Sequence, residues 1–291
     1  MDHETRYARP DQTQMARLVT DVLTEAGDRT PPVEWEWVES GSGHVSVLTD
    51  AVACRIARDG RAHAELERSQ RLVDSLPMLP FRVPRSVGSV ARRDGLLAVA
   101  TERIRGTVHP VGSGDPQTLR ALVDAIHDVD IDHVSAHTAT PHAFCGGEDW
   151  ETVLRELVVP RLPSALRQIG RRIVADLAAL EPPARVLNHG DLAGWNVLWS
   201  GDSVAGVLDW DLASRDDPAD DIASLADWHG WQVAPHLADK STIQRAKVIS
   251  QSFPLQTIGF ALTRNRPAEE LERTIGRAAE RIRRRSVCID W

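Results

Sequence analysis

The amino-acid sequence predicts an α+β protein of two lobes, a β-rich lobe over 1–105 and a mainly helical lobe over 106–291. Five short apolar runs with the character of strands lie before residue 105. After Gly106 the apolar residues recur at helical spacing, and one pair of strand-like runs interrupts them. A length of 291 residues also fits two lobes, since a domain has about 150 residues.

The first lobe begins with a helix and continues as a small sheet. Over 12–26, Met15, Leu18 and Val22 fall on one helical stripe that ends at Gly27. Short strands are predicted over 33–38, 45–48 and 51–57, followed by a helix over 61–76 and a proline-marked loop. Two more strands are predicted over 87–90 and 95–104.

The second lobe is predicted from helical spacing over 116–129, 150–159 and 164–180. Two short strands, 197–199 and 204–208, then flank a turn at 200–203 and form a hairpin. From residue 219 onward the spacing is mostly helical, with breaks expected at Pro235, Pro254 and Pro267.

Composition narrows the class of protein. The 42 acidic and 34 basic residues give a formal net charge of −8, which argues against a nucleic-acid binder because phosphate backbones require a cationic face. Cys54, Cys145 and Cys288 lie too far apart for a disulfide framework, which favours a reducing compartment. The N-terminal residues are charged, and no apolar run is long enough to span a membrane. We therefore expect a cytoplasmic protein without a membrane partner.

The segment 188–211 contains the residues that indicate chemistry. Asp191 and Asn196 stand on a glycine-containing loop that leads into the hairpin, and the hairpin returns the chain so that Asp209 can lie beside Asn196. Two carboxylates and an amide oxygen are hard ligands, which suit Mg²⁺ held together with substrate phosphates. The segment therefore predicts a magnesium–nucleotide site.

Two stretches that begin within this segment resemble the aminoglycoside phosphotransferase family of small-molecule kinases. The first, 189–196, reads HGDLAGWN and matches the family signature HGDxxxxN. The second, 207–223, reads VLDWDLASRDDPADDIA and is similar to the "DW…A…DPxxDLA" segment of that family. The resemblance covers about 35 consecutive residues and implies a protein-kinase-like fold with phosphotransfer to a hydroxyl group.

The resemblance also implies roles for individual residues. Asp191 would be the catalytic base or would orient the acceptor hydroxyl, while Asn196 and Asp209 would hold Mg²⁺. His189 would brace the loop. Asp217 and Asp221 would support the lobe, and the order Asp-Pro-Ala-Asp-Asp by itself favours a helix N-cap. His127 matches a helix histidine of the family and is interpreted as a packing residue.

In the first lobe, the resemblance places a phosphate-contacting cation at Arg55. It also implies a glutamate near position 69 that orients this arginine, but Ser69 stands there, with Glu65 and Glu67 upstream. Either the helix register differs or the ion pair is built differently.

Two further segments are expected at the nucleotide. A serine–glycine segment would cover the phosphates, and the strand 97–104 resembles the hinge that binds the base through backbone groups. The candidate nucleotide-binding residues of these segments are Ser40, Gly41, Gly43, Thr101 and Arg103. The base, adenine or guanine, is not determined by these side chains, so both ATP and GTP are candidate donors.

The acceptor is expected to be a small molecule with a hydroxyl group. Short pieces such as 55–58 and 79–84 resemble macrolide phosphotransferases, which implies a macrolide acceptor and resistance by phosphorylation. The acidic run 211–227 favours an amine-bearing acceptor, with Asp211, Trp228 and Trp231 as candidate contacts. The alternatives are a kinase of an aminoglycoside or another metabolite, a nucleotide-binding pseudokinase, and a metal-dependent hydrolase.

Overall fold

The computed structural model describes residues 9–39, 43–181 and 184–287. The chain divides into two compact units, and both are assembled from separate segments. The first unit runs to Val108 and also contains Asp132–Thr138 and Trp195–Asp211. The second contains His109–Ile131, Ala139–Gly194 and the chain from Leu212 onward. The predicted boundary at residue 105 therefore does not account for Trp195–Asp211, the segment that contains the predicted hairpin and belongs to the first unit.

Strands of the described residues form three sheets. They are β1 Glu36–Val38, β2 His44–Leu48, β3 Val52–Ala57, β4 Ala91–Arg93, β5 Leu96–Glu102, β6 Val186–Asn188, β7 Val197–Ser200, β8 Ser203–Val207 and β9 Ser214–Asp216. The first five form one antiparallel sheet in the order β1-β2-β3-β5-β4, while β6 pairs with β9 and β7 with β8. The strand expected over 87–90 is wrong: that stretch is a loop, and β4 begins at Ala91.

Most of the α-helical residues lie in seven longer helices. The described α-helices are α1 Gln12–Glu25, α2 Gly60–Ser75, α3 Pro116–His127, α4 Ile131–Val134, α5 Trp150–Thr152, α6 Arg167–Ala178, α7 Ala219–His229, α8 Ala234–Leu237, α9 Lys240–Thr263 and α10 Ala268–Val287. The helix expected over 150–159 departs from α-helical geometry, because α5 passes into a π-helical segment over Val153–Val158.

The two faces of the five-stranded sheet are covered by different helices. Helix α1 begins at its cap Asp11, whose carboxylate accepts the N–H groups of Thr13 and Gln14. Its apolar stripe packs on one face, with Cys54 and Ile56 of β3 in the same core. Residues of α2 pack against the other face. Since side chains alternate along a strand, Arg55 lies on the α2 face.

Helix α9 continues through Pro254, where a break was expected. A proline within a helix has no N–H to donate to the carbonyl four residues earlier, here that of Ser250. The Arg285 guanidinium of α10 donates to this Ser250 oxygen instead. A side chain from the neighbouring helix therefore satisfies the carbonyl that proline leaves without its helical partner.

Candidate active site

In the first unit, Asn196 and Asp209 lie at the open end of the β7–β8 hairpin. Val197 pairs with Val207, and the Leu208 N–H donates to the Asn196 carbonyl at 2.8 Å, so the residues just outside the two strands are neighbours. Asp209 has a φ of 58°, an unusual value for a residue with a side chain. Such backbone conformations cost free energy and concentrate at functional sites.

Arg55 of β3 contacts the carboxylates that follow the hairpin. Its Nη2 lies 2.9 Å from Asp211 Oδ2 and 3.3 Å from Asp209 Oδ1. The same nitrogen lies 3.0 Å from Nδ1 of His44. Because a guanidinium nitrogen only donates, His44 Nδ1 is the acceptor of this hydrogen bond, which places a ring proton on Nε2. Asp209, Asp211, Arg55 and His44 therefore form one cluster of charged and polar side chains within the first unit.

The ionisation of this cluster reflects a balance between burial and charge. Burial opposes the charged form of Asp211, but the charge of Arg55 and its hydrogen bond outweigh it and hold the pKa of Asp211 well below its ordinary value. Burial likewise disfavours the charged Arg55 guanidinium, and the carboxylates of Asp211 and Asp209 outweigh it, so the pKa of Arg55 is raised. Both groups are therefore charged at neutral pH.

Helix α2 contributes no glutamate to Arg55. Glu65 pairs with Arg61 at 3.2 Å, and Glu67 pairs with Arg92 at 2.6 Å. Ser69 is 1% exposed, and its hydroxyl donates to the Leu66 carbonyl. The ion pair is thus built differently, with aspartates after the hairpin as the counter-ions. Asp211, expected at the acceptor, has Arg55 as its ion-pair partner.

In the second unit, the loop that carries Asp191 is held by a buried carboxylate. Asp221 of α7 is fully buried, and its two oxygens accept the backbone N–H groups of His189 at 3.0 Å and Gly190 at 3.1 Å. His127 Nε2 lies 3.2 Å from the same carboxylate. The Asp191 N–H donates to His189 Nδ1 at 3.3 Å, and Asp191 itself is exposed. The loop thus presents Asp191 on a backbone held from beneath.

Two glycines of this loop leave no room for a side chain. A Cβ on Gly190, whose φ is +79°, would lie 2.5 Å from the Leu212 carbonyl oxygen. A Cβ on Gly194 would lie 2.0 Å from the indole of Trp228, whose Nε1 donates to the His109 carbonyl at 3.0 Å. Trp228, expected at the acceptor, thus packs directly on the loop. Trp231 is half-buried in the turn after α7.

Carboxylates surround the Asp191 side of the second unit. Burial raises the pKa of Asp220 well above its ordinary value, and the charges of Asp221, Asp216, Asp191 and Asp217 add to the shift. Asp217 has a different role: its Oδ1 accepts the Ala219 N–H at the start of α7, and Arg245 Nε lies 2.7 Å from its Oδ2. The negative potential beside Asp191 therefore comes from several groups rather than one.

The other residues predicted to bind the nucleotide either contact neighbours within the first unit or lie outside the described residues. Ser40 and Gly41 lie outside the described residues, whereas the carbonyl of Gly43 accepts the Arg58 N–H at 3.0 Å. Thr101 is 1% exposed and donates to the Ala53 carbonyl. Arg103 donates to the Thr49 carbonyl at 2.6 Å and pairs with Glu36. Both side chains are thus engaged within the first unit, and the contact of this segment with the base through its backbone groups stays a prediction.

Sequence reasoning missed two partners in the site. His44 follows the glycine segment at the start of β2, and a single histidine in a strand carries no signal of its own. The Asp221 hydrogen bonds to the loop join residues 31 and 32 positions apart, which spacing alone does not reveal. The family segment marked Asp221 only as a supporting residue.

The chain belongs to the phosphotransferase enzyme family, whose model matches residues 37–245, well over half of the sequence. Among curated proteins, viomycin phosphotransferase of Streptomyces vinaceus is 33% identical over 134 residues. That match covers 43% of this chain and 46% of the relative, so the chain spans a little under half the length of the curated relative it matches. The resemblance found in the two motifs is confirmed.

Solved structures of this family share the fold. The GDP complex of aminoglycoside 2'-phosphotransferase-IIIa matches this chain with a TM-score of 0.75 at 16% sequence identity. The match covers 93% of this chain and 99% of the chain in that structure. A macrolide 2'-phosphotransferase of Brachybacterium faecium matches with a TM-score of 0.67 at 20% sequence identity, and this match covers 89% of this chain and 96% of the other. The predicted α+β, kinase-like fold class is therefore confirmed.

Within residues 9–39, 43–181 and 184–287, no helix has the length and apolar character that crossing a membrane requires. The same ranges contain no group of three or more His, Cys, Asp or Glu arranged to hold a metal ion. A metal bound at the hairpin would therefore draw on the amide of Asn196 and on substrate oxygens as well as on Asp209.

Proposed function

We propose that this protein is an O-phosphotransferase that moves the γ-phosphate of ATP or GTP to a hydroxyl group of an antibiotic-like acceptor. One observation carries the proposal: the HGDxxxxN loop is held through the buried Asp221 carboxylate, so that an exposed Asp191 follows a rigid backbone. Phosphoryl transfer depends mainly on positioning and on stabilising charge, and a fixed loop meets the first need.

In this mechanism Asp191 orients the acceptor hydroxyl and receives its proton as the oxygen attacks the γ-phosphorus, while the bond to the β,γ-bridging oxygen breaks and the nucleoside diphosphate leaves. His189 supports the loop, since its ring accepts the Asp191 N–H. Burial and the charges of neighbouring carboxylates, that of Asp191 among them, raise the pKa of Asp220, so this carboxyl is more readily protonated than an ordinary aspartate.

Asn196 and Asp209 would hold Mg²⁺. The amide and carboxylate oxygens at one end of a single hairpin are the donors that this ion prefers, and Mg²⁺ usually keeps other positions for water and phosphate. The bound ion would supply neutralisation of the phosphate charge. Arg55, which the resemblance assigns to the phosphates, is charged, and its Nη2 lies 3.3 Å from Asp209 Oδ1.

The acceptor is proposed to carry amines. The carboxylates beside Asp191 give this part of the second unit a negative potential that attracts cations, and at ordinary ionic strength the attraction is largely screened beyond about 8–10 Å. The relatives are named for viomycin, aminoglycosides and macrolides, and the structures include GDP and ATP complexes. Viomycin is the first acceptor to test, because its phosphotransferase shares 33% identity over the matched segment; a macrolide is the second.

The test is a transfer assay with ATP and GTP against viomycin, kanamycin, streptomycin and macrolides. Nucleoside diphosphate release is measured together with the mass of the acceptor, which must increase by one phosphate. Asp191→Asn should lower kcat by at least about 100-fold while nucleotide Kd changes little, because general-base catalysis acts in the transition state. Asp202→Asn, an exposed change in the hairpin turn, is the matched control.

Two outcomes contradict the proposal. Nucleotide binding without transfer to any acceptor would favour a nucleotide-binding pseudokinase, and full activity of Asp191→Asn would mean that the catalytic loop has been misassigned. A neutral acceptor used better than every amine-bearing one would remove the proposed role of the carboxylates.

A further inference from the structure

The orientation of Arg55 depends on a residue outside the helix that follows its strand. Among the described residues, its carboxylate contacts are Asp211 and Asp209, while Glu65 and Glu67 of α2 pair with Arg61 and Arg92. The side chains of Arg55 and Asp211 are only 16% and 19% exposed, whereas that of Asp209 is 49% exposed. Asp211 is therefore the nearer and more buried counter-ion of this arginine.

Helix α2 contacts Asp211 through Arg68. Arg68 donates to the backbone carbonyl of Asp211 and, at 2.9 Å, to that of His137. A chain of contacts thus runs from α2 through Asp211 to Arg55, all within the first unit.

We propose that Asp211 is the positioning residue that orients Arg55 for the nucleotide phosphates and keeps it from closing over Asp209. This inference rests on the proposed function. Its geometric basis is that a single atom, Arg55 Nη2, lies between the two carboxylates, 2.9 Å from Asp211 and 3.3 Å from Asp209. When Arg55 is held by Asp211, the stronger of the two ion pairs of Arg55 is already made. Asp209 then remains available to a metal ion.

Without the charge of Asp211, Asp209 becomes the remaining anionic contact of Arg55. The guanidinium and a metal ion would then compete for the same carboxylate oxygen. Nucleotide binding should therefore require more Mg²⁺, an effect that a purely structural role of Asp211 does not produce. A structural role would lower the melting temperature and leave the metal dependence of binding unchanged.

The experiment measures binding of ATP, with GTP in parallel, by calorimetry over a range of Mg²⁺ concentrations. Asp211→Asn should raise the Mg²⁺ concentration for half-maximal nucleotide binding by about tenfold or more, the scale on which outer partners of metal ligands act. Asp50→Asn is the control, since Asp50 is 99% exposed and pairs with Arg105. An unchanged Mg²⁺ requirement in folded Asp211→Asn overturns the inference.

A second pair of variants covers the case in which Asp211→Asn does not fold. Arg55→Gln and Arg55→Gln/Asp211→Asn differ only at Asp211, and the double variant leaves neither charge of the pair unmatched. If Asp211 acts through Arg55, both variants bind nucleotide with the same Kd and the same Mg²⁺ requirement. A difference of more than about threefold between them would overturn the inference, since the two effects would then be independent.

Failure of the proposed function gives a different result. A wild-type protein that binds no nucleotide, or binds it equally well with and without Mg²⁺, contradicts the proposed function and the inference together. A wild-type protein with Mg²⁺-dependent binding that Asp211→Asn leaves unaltered contradicts the inference alone.

Discussion

The carboxylate of Asp221 accepts the backbone N–H of His189 at 3.0 Å, in a position from which solvent is excluded. This hydrogen bond and its companion to Gly190 tie helix α7 to the loop that presents Asp191. The two backbone donors stabilise the buried anion. A neutral side chain of similar size would leave donors unpaired.

We expect Asp221→Ala to lower the free energy of unfolding by about 2–4 kcal/mol, because each buried donor left without a partner costs about 1–3 kcal/mol. Activity should fall with it, since the loop loses its support. Thermal and urea unfolding measure the first effect and the transfer assay the second. Asp202→Ala, an exposed change in the hairpin turn, should leave both unchanged. Wild-type stability of Asp221→Ala would contradict the assigned role.

Gly194→Ala should reduce transfer activity strongly, because its methyl group would overlap the indole of Trp228. Overpacking of this kind costs about 1–3 kcal/mol. Adding Trp228→Ala removes the overlapping ring and should restore part of the lost stability. Gly276→Ala is the matched control: its Cβ meets nothing within 4 Å, and alanine should stabilise helix α10 by up to about 1 kcal/mol. The two glycine variants are compared by melting temperature and by kcat.

Asp209→Ala should lower Mg²⁺-dependent turnover by at least about 100-fold, the scale on which one charge-stabilising group contributes. The fold should persist, since the side chain is half exposed. Turnover is measured against Mg²⁺ concentration, with circular dichroism to follow folding. If Asp209→Ala turns over at the wild-type rate at the same Mg²⁺ concentration, this residue does not hold the metal.

Asp220→Asn should stabilise the protein at neutral pH. The folded protein raises the pKa of Asp220, so the carboxyl binds a proton more tightly in the folded than in the unfolded chain. Stability is then lost as pH rises above the unfolded pKa, near 3.9. The amide carries no charge and avoids this loss, so the gain in melting temperature should be absent below about pH 4 and grow above it. A gain independent of pH would mean that Asp220 is not the titrating group.

Periodicity and local motifs predicted much of this fold because they report neighbours along the chain. The α1 stripe and its end at Gly27, the hairpin at 197–208 and the cap role of Asp217 all depend on nearby residues. The strands β6 and β9 have three residues each, too few for alternation to show. Helix α9 passes Pro254 because a distant arginine compensates the backbone, which no local rule contains.

The same distinction between neighbours along the chain and distant contacts applies to the candidate site. Asp191, Asn196 and Asp209 followed from fixed spacing on one loop and one hairpin, and their functional roles remain predictions. The partner of Arg55 did not follow, because Asp211 is 156 positions away in sequence and only the fold brings it within 2.9 Å. Ser69 marked the place where the expected glutamate was missing but did not indicate its replacement.

The three-segment first unit constrains how the protein folds during synthesis. Backbone hydrogen bonds join Arg82 to Ala205 and Val207, and Thr107 to Trp199. These pairings cannot form until the hairpin has left the ribosome, about ninety or more residues after their partners emerge. By then two segments of the second unit, His109–Ile131 and Ala139–Gly194, have also been made. We therefore expect the nascent first unit to stay incomplete, with the backbone groups of Arg82 and Thr107 lacking their hairpin partners, until the hairpin itself has been made.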